Sequence, residues 1–253
     1  MTHARQISVN AVILGLLLST HSARAGLTHR YSFNDSTGKD SVGNVNVTLK
    51  GSAKAADGKV VLDNGDKLSN DPALSYVQFD SSPLPKTGSV SLVVWITAKE
   101  NPLFSRVIDF GDTQNGEGFA FIYLVARHED EKSRGSITAS DTGSKSYLTG
   151  SRLDDNKPHM AVLVIDGAAK KLHLSVDTVE TETPADLGDN TLEKVDPATC
   201  FLRRSHFDAD PGLSGAIDEF RVYDHALSAE EIKAIYTAGP EVLPPPTLPA
   251  AGK

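Results

Sequence analysis

The chain has 253 residues, 33 Asp and Glu against 25 Lys and Arg, and a formal net charge of −8. This acidic balance argues against nucleic acid or an anionic membrane surface as a partner and fits a soluble protein. The single cysteine, Cys200, excludes an internal disulfide, and its position at the start of an apolar run predicts a small buried side chain.

The first 25 residues have the three parts of a secretory signal peptide. Arg5 gives a weakly basic start, residues 11–18 form an apolar run, and Ala23-Arg24-Ala25 is a typical cleavage site. The alternatives are a short buried helix or a membrane anchor, but this run is much shorter than the about 20 residues needed to cross a bilayer. The sequence therefore predicts an exported protein without membrane insertion, secreted or held in the periplasm or at the cell surface.

Through most of the mature chain, apolar residues recur with a period of two, the period of a β-strand. Residues 27–33 alternate and predict a half-buried first strand, whereas residues 89–97, 119–125 and 160–165 are apolar on both faces and predict central strands. Asp-Gly and Asn-Gly pairs mark turns between the strands. The pattern predicts an all-β, two-sheet antiparallel sandwich in a single domain, residues 26–239.

The last predicted strand carries an unusual carboxylate. In a strand of regular alternation, Asp218 lies on the same face as Phe220 and Val222, so its side chain is expected to point inward. A buried carboxylate is costly unless hydrogen-bond donors or a cation meet it. Asp218 is therefore expected to have a partner elsewhere in the chain.

A helix start follows this strand. Ser228 and Glu231 have the spacing of a capping box, and together with the apolar residues that follow they predict one short C-terminal helix over residues 228–238. Gly239 followed by proline ends it. Residues 240–253 contain five prolines and predict an extended, unpacked tail.

Two segments resemble a known family. FLRRSHFDADPGLSGAIDEFRVYDHALSAEEI, within residues 201–235, is similar to the C-terminal signature of bacterial laminin-G-like, concanavalin A-like jelly-roll domains, and LTHRYSFNDSTGKDSVGN (residues 27–44) resembles their opening. Arg203 departs from the pattern, because the family commonly has Gly there. The resemblance implies a jelly roll that recognises ligands and, as in many members, holds a structural Ca²⁺ near these segments.

A calcium site is expected where the chain's beginning meets its end. In a jelly roll of this type the first and last strands are neighbours, and oxygen ligands from scattered loops are what Ca²⁺ binds. The expected ligands are Asp35, Asp40, Asn44 and Asp218. The alternative is that Asp40 and Asn44 shape a turn and that Asp218 accepts hydrogen bonds from backbone N–H groups.

The candidate ligand contacts are two aromatic residues and one loop. The only tryptophan, Trp95, belongs to a predicted central strand, so Tyr123 and Tyr147 are the best platforms on which a sugar could stack. His206 and Asp208 lie on the loop before the last strand and are candidates for a contact to a sugar edge. The alternative is that this loop is only solvated.

A hydrolase is disfavoured by the arrangement of acidic residues. A retaining glycosidase needs two carboxylates about 5 Å apart in a concave site. Residues 129–131 are contiguous and face alternate ways, while the strand with Glu180 and Glu182 ends at Pro184. The predicted function is an exported, non-catalytic binding module for a glycan; the alternative is a cell-envelope module that binds a protein surface and no sugar.

Overall fold

The computed structural model describes residues 26–139, 145–180 and 183–243; the predicted signal peptide and residues 244–253 of the predicted tail lie outside these ranges. The described residues form two antiparallel sheets and two helices. The strands are β1 (Leu27–Tyr31), β2 (Val47–Lys50), β3 (Lys54–Ala56), β4 (Lys59–Leu62), β5 (Tyr76–Phe79), β6 (Val90–Thr97), β7 (Arg106–Gln114), β8 (Glu117–Val125), β9 (Ser133–Thr138), β10 (Ser146–Gly150), β11 (Pro158–Asp166), β12 (Lys171–Val176), β13 (Val179–Glu180), β14 (Ala185–Asp186), β15 (Thr199–Leu202) and β16 (Gly215–Tyr223). The helices are α1 (Leu192–Val195) and α2 (Ala229–Ala238).

The two sheets form the predicted jelly-roll sandwich. The larger sheet has the order β13-β12-β11-β6-β16-β4-β3, with β1 also paired to β16 and β14 to β12. The smaller sheet has the order β10-β9-β8-β7-β15-β5-β2. The first strand therefore lies beside the last, as the resemblance to jelly-roll domains implies, and both belong to the larger sheet.

The main core lies between the sheets and is aromatic at its centre. Tyr31 stacks on Phe220 with ring centroids 6.1 Å apart, and Phe79 of the opposite sheet meets both rings edge-on at 5.2 and 5.7 Å. Phe110 completes the group at 5.2 Å from Phe79. Aromatic rings in such offset and edge-on contacts stabilise a core beyond the area they bury.

The outer face of the larger sheet is covered by α2. This helix begins as the sequence predicts, because Ser228 accepts a hydrogen bond from the backbone N–H of Glu231 and the Glu231 side chain accepts one from the backbone of Ser228. Ile235 packs with Trp95 in a second buried apolar cluster. In residues 26–139, 145–180 and 183–243, neither helix combines the length and hydrophobicity that crossing a bilayer requires.

The direction of Asp218 is the main correction to the expected fold. Ile217 and Glu219 oppose consecutive residues of β6, so Asp218 is the extra residue of a β-bulge. Ile217 and Phe220 consequently both point into the core, and Glu219 is the fully buried carboxylate. Asp218 is not carried inward beside Phe220 but forms an ion pair with Lys59, Oδ1 to Nζ 2.9 Å.

The first residues of the predicted tail pack on the domain. Nη2 of Arg221 donates hydrogen bonds to the carbonyl oxygens of Pro240, at 2.7 Å, and Val242, at 3.2 Å. Nδ2 of Asn34 also contacts Oε2 of Glu241 at 2.5 Å. Residues 240–242 are thus in contact with the folded domain.

Candidate ligand-binding site

The predicted platform residues, Tyr123 and Tyr147, stand on one face of the smaller sheet. Tyr123 of β8 pairs with Ser136 of β9, and Ser136 pairs with Tyr147 of β10. Directly opposed residues of an antiparallel sheet point to the same face, and the neighbouring Ile122 points into the core. The two tyrosines therefore stand on the outer face, two strand spacings or about 10 Å apart along the sheet.

A cavity of about 310 Å³ opens above these residues. Aromatic side chains form one part of its lining: Phe104, Phe121, Tyr123, Tyr147 and Phe207. Polar and charged side chains form the rest: Arg106, His128, Arg134, Ser136, Lys145 and Asp210. Aromatic walls with a few polar groups are typical of small-ligand sites.

Arg106 forms the fixed centre of the cavity. Its guanidinium lies 4.2 Å from the centroid of the Tyr123 ring, its Nε donates to Asp109 at 2.9 Å, and its Nη2 contacts Asp210 at 2.7 Å. Burial raises the pKa of Asp210, and the charge of Arg106 opposes that shift. Since Asp210 belongs to the loop before β16, Arg106 joins this loop to the sheet.

The two tyrosines differ in exposure. Tyr123 is mostly covered, stacks on Phe121 with centroids 5.2 Å apart, and has a pKa raised mainly by burial. Tyr147 is 51% exposed, and the guanidinium of Arg134 lies 4.7 Å from its ring centroid. Tyr147 is therefore the ring that a ligand can reach, and Tyr123 belongs to the floor beneath.

The loop candidates are placed differently from the expectation. His206 is buried: its ring contacts Asp109 through Nδ1 and Thr199 through Nε2, each at 2.7 Å, and stacks on Phe201. The predicted contact between His206 and a sugar edge is wrong, because the ring packs under its own loop. Asp208 is exposed but does not line the cavity, and its backbone N–H donates to the Gly116 carbonyl.

Asp40, one of the expected calcium ligands, shapes a turn. Its carboxylate accepts hydrogen bonds from the backbone N–H groups of Arg30, Val42, Gly43 and Val45 at 2.9–3.2 Å and contacts Nδ1 of His29 at 2.6 Å. Burial alone would raise the pKa of Asp40, but these hydrogen bonds outweigh it and lower the pKa. The interaction pattern agrees with the turn-shaping alternative.

The other expected calcium ligands do not gather around Asp40. Asp35 is exposed and binds Thr37 in its own turn, Asn44 is exposed, and Asp218 pairs with Lys59 across β4 and β16. In residues 26–139, 145–180 and 183–243, no three His, Cys, Asp or Glu side chains form a group that could hold a metal. Calcium binding itself stays a prediction.

Glu180, one of the two acidic residues considered for hydrolysis on the predicted strand before Pro184, does not line the cavity. Glu180 contacts Nδ1 of His173 at 2.7 Å on the outer part of the larger sheet. Glu182 lies outside the described residues. Neither Glu180 nor residues 129–131 line the cavity at Tyr123 and Tyr147.

Three cationic side chains that line the cavity could not be identified from the sequence. Arg106, Arg134 and Lys145 come from three separate segments and meet only through the strand order β10-β9-β8-β7. The available signal is that Arg134 and Ser136, and likewise Lys145 and Tyr147, are two residues apart and share a face of extended chain. Without the pairing of the strands, that signal could not join them to Tyr123.

Comparisons with known proteins agree with this architecture. The family model Laminin_G_3, of the concanavalin A-like lectin/glucanases superfamily, matches residues 71–233, more than half of the chain. The comparison with curated proteins finds no matching sequence.

Among solved structures, domain 4 of AbnA, a GH43 extracellular arabinanase from Geobacillus stearothermophilus solved with arabinotriose, has a TM-score of 0.64 and 20% identity over 83% of this chain and 97% of that domain. The CBM40 of a Ruminococcus gnavus sialidase, bound to α2,3 sialyllactose, has a TM-score of 0.54 and 14% sequence identity; the match covers 70% of this chain and 95% of that one. The botulinum neurotoxin serotype D binding domain has a TM-score of 0.60 and 13% sequence identity; the match covers 85% of this chain and 51% of that one. At these identities the likeness shows the fold.

Proposed function

Because the chain belongs to the concanavalin A-like lectin/glucanases superfamily, we propose that it is an exported, non-catalytic module that binds a saccharide in the cavity at Tyr123 and Tyr147. The observation that carries the proposal is the half-exposed Tyr147 ring beside that cavity on the open face of the smaller sheet. Sugars stack on such rings through their apolar C–H faces, while their hydroxyl groups hydrogen-bond to nearby polar side chains.

The polar lining supplies the complementary groups. Arg106 and Ser136 carry donors at the floor of the cavity, and Asp210 supplies carboxylate oxygens. Arg106 is already held by Asp109 and Asp210, so it needs little reordering when a ligand arrives. Two of the structures with the same fold were solved with an oligosaccharide, which supports a saccharide as the class of ligand.

The non-catalytic part of the proposal rests on the acidic residues. Asp210 is the one Asp or Glu among the described residues that line the cavity, and it is engaged by Arg106 and Ser205. Acid-base hydrolysis of a glycosidic bond ordinarily uses two carboxylates that flank the bond. A saccharide bound here would therefore be held rather than cleaved.

A glycan array with the purified mature chain tests the proposal. We expect binding to a limited set of saccharides by the wild type and loss of that binding in Tyr147→Ala. An array that stays blank, with and without added calcium, would contradict the proposal.

The alternative function is a module that binds a protein surface and no sugar. A groove of about 390 Å³ between α2 and strands β11 and β12 is a second place where a partner could bind, with a lining that combines apolar residues such as Ile232 with polar ones such as His173 and Glu180. A blank array would leave this alternative.

A further inference from the structure

The cavity at Tyr123 and Tyr147 contains positive charge that the carboxylates of the described residues balance only in part. Arg106 contacts two carboxylates, Asp109 and Asp210, and its charge is balanced. Arg134 reaches a carboxylate only at 3.9 Å, from Nη2 to the partly exposed Asp130. Lys145 has no carboxylate within ion-pair distance among residues 26–139, 145–180 and 183–243.

Arg134 also has a hydrogen-bond donor that lacks an acceptor among the described residues. Its Nε is buried, and no hydrogen-bond acceptor meets it in the described part of the chain. A buried donor without an acceptor is costly, and a charged donor more so. His128 contributes no charge to the cavity. Its pKa is lowered by burial and, to a lesser extent, by the charge of Arg134, so its ring is neutral at pH 7.

The lack of close carboxylate contacts is not general among the arginines of the chain. The whole chain is acidic, with a net charge of −8. Arg127 and Arg152, by contrast, each contact the carboxylates of Glu100, Glu131 and Asp154. A cationic pocket on an acidic protein attracts anions and excludes cations.

The two unbalanced cations flank the exposed ring. Arg134 lies against Tyr147, its guanidinium 4.7 Å from the ring centroid, and Lys145 precedes Tyr147 by two residues. Lys145 also reaches over Phe121, Nζ to ring centroid 6.0 Å. A ring stacked against Tyr147 would hold its substituents within reach of both side chains, and guanidinium groups bind carboxylate and sulfate with paired hydrogen bonds.

We propose that the saccharide bound in this cavity is acidic and that Arg134 and Lys145 bind its carboxylate or sulfate group. This inference rests on the proposed saccharide-binding function and specifies its ligand class. A neutral sugar offers hydroxyl oxygens as acceptors but no negative charge, so Arg134 would keep only its 3.9 Å contact with Asp130, and Lys145 would have no counter-ion among the described residues.

Calorimetric titration of the mature chain with matched sugar pairs tests the inference. Trigalacturonic acid is compared with galactotriose, sialyllactose with lactose, and sulfated lactose with lactose, so that the first two pairs test carboxylate and the third tests sulfate. We expect the acidic member of at least one pair to bind at least about tenfold more tightly than its neutral counterpart. We also expect added salt to weaken that binding.

The matched variants are Arg134→Met and Arg204→Met. Both arginines lie 4.7 Å over a tyrosine ring, of Tyr147 and Tyr76 respectively, but Arg204 does not line the cavity. We expect Arg134→Met to remove the preference for the acidic sugar and Arg204→Met to retain it. Circular dichroism of both variants checks that the fold is kept.

The outcomes separate the inference from the function on which it rests. Neutral and acidic sugars that bind equally well, with affinity lost in Tyr147→Ala and unchanged in Arg134→Met, would overturn the inference and leave saccharide binding intact. If no sugar of any pair binds the wild type, the inference is wrong, and the glycan array decides whether the proposed function stands with another saccharide.

Discussion

Arg30 of the first strand donates two hydrogen bonds to Glu219 of the last strand, Nε to Oε1 and Nη2 to Oε2, each 2.8 Å long. Glu219 is fully buried and is also contacted by Nε of Arg221, which is itself fully buried. The chain's beginning is therefore tied to its end by a bidentate ion pair. This is the role that the sequence assigned to Asp218 and calcium.

We predict that Glu219→Ala lowers the free energy of unfolding by about 3–5 kcal/mol, because it leaves the buried charge of Arg221 without its carboxylate. Asp218→Ala is the matched control on the adjacent position. Its partner Lys59 is 45% exposed, so this change should cost less than about 1 kcal/mol. Urea denaturation of both variants measures the difference, and equal losses would contradict the assignment of the buried carboxylate to Glu219.

The strand that carries both residues shows what the sequence can and cannot predict. Alternation and the capping box place β16 and α2 correctly, since both depend on residues close together in the chain. The bulge at Asp218 takes this carboxylate off the face of Phe220, because one extra residue reverses every earlier side chain, whereas Glu219 stays on the face of Arg221 and is buried there. The bulge arises from the pairing of β16 with β6, and the residues next to Asp218 in the sequence do not predict it.

The residues of the candidate site also differ in how far the sequence predicts them. Tyr123 and Tyr147 could be chosen from the sequence because the only tryptophan, Trp95, belongs to a predicted central strand. The burial of His206 could not be predicted, since it depends on Asp109 and Thr199, which belong to two different strands. Contacts between a loop and a distant strand are fixed by the fold.

Asp40 should matter to stability more than its neighbour Asp35. Asp40→Ala leaves several backbone donors without an acceptor, and we expect it to lower the free energy of unfolding by about 1–3 kcal/mol. Asp35 is exposed and, within the described part of the chain, its carboxylate bonds to Thr37, so Asp35→Ala should change the free energy of unfolding by less than about 0.5 kcal/mol. Thermal or urea denaturation at pH 7 compares the two.

The contribution of Asp40 should also depend on pH. Its pKa is lower in the folded protein than in the unfolded chain, so its stabilisation is complete above the unfolded value of about 3.9 and is lost as the pH falls through the folded value. The difference in stability between wild type and Asp40→Ala should therefore shrink below about pH 4. A difference that stays constant with pH would contradict the role of the ionised carboxylate.

Arg203 is expected to destabilise the folded state. Its φ angle is 73°, in the left-handed region, its side chain is fully buried, and burial lowers its pKa to about 9. None of its guanidinium nitrogens has a hydrogen-bond partner within residues 26–139, 145–180 and 183–243. Burying an uncompensated charge is costly.

We therefore predict that Arg203→Met, which keeps much of the volume and removes the charge, leaves stability unchanged or raises it by up to about 4 kcal/mol. Differential scanning calorimetry at pH 7 measures the change in melting temperature. A loss of more than about 1 kcal/mol would show that the guanidinium has a favourable partner.

Calcium binding stays a prediction from the family resemblance. If calcium binds, it should stabilise the chain by about 2.7 kcal/mol at a hundredfold excess over its dissociation constant. A chelator should then lower the melting temperature, and Asp218→Asn should abolish that difference. Identical melting of the wild type with calcium and with chelator would contradict the prediction.

The central claim, that a saccharide binds on the outer face of the smaller sheet, is tested most directly by titrating Tyr147→Ala and Tyr236→Ala with the strongest oligosaccharide from the array. The two tyrosines are similarly exposed, at 51% and 45%, but Tyr236 lies on α2, outside the cavity. Loss of a stacking ring should weaken binding by about 1–2 kcal/mol, or roughly 5- to 30-fold. We predict that loss for Tyr147→Ala and unchanged affinity for Tyr236→Ala. Wild-type affinity in Tyr147→Ala would contradict the claim.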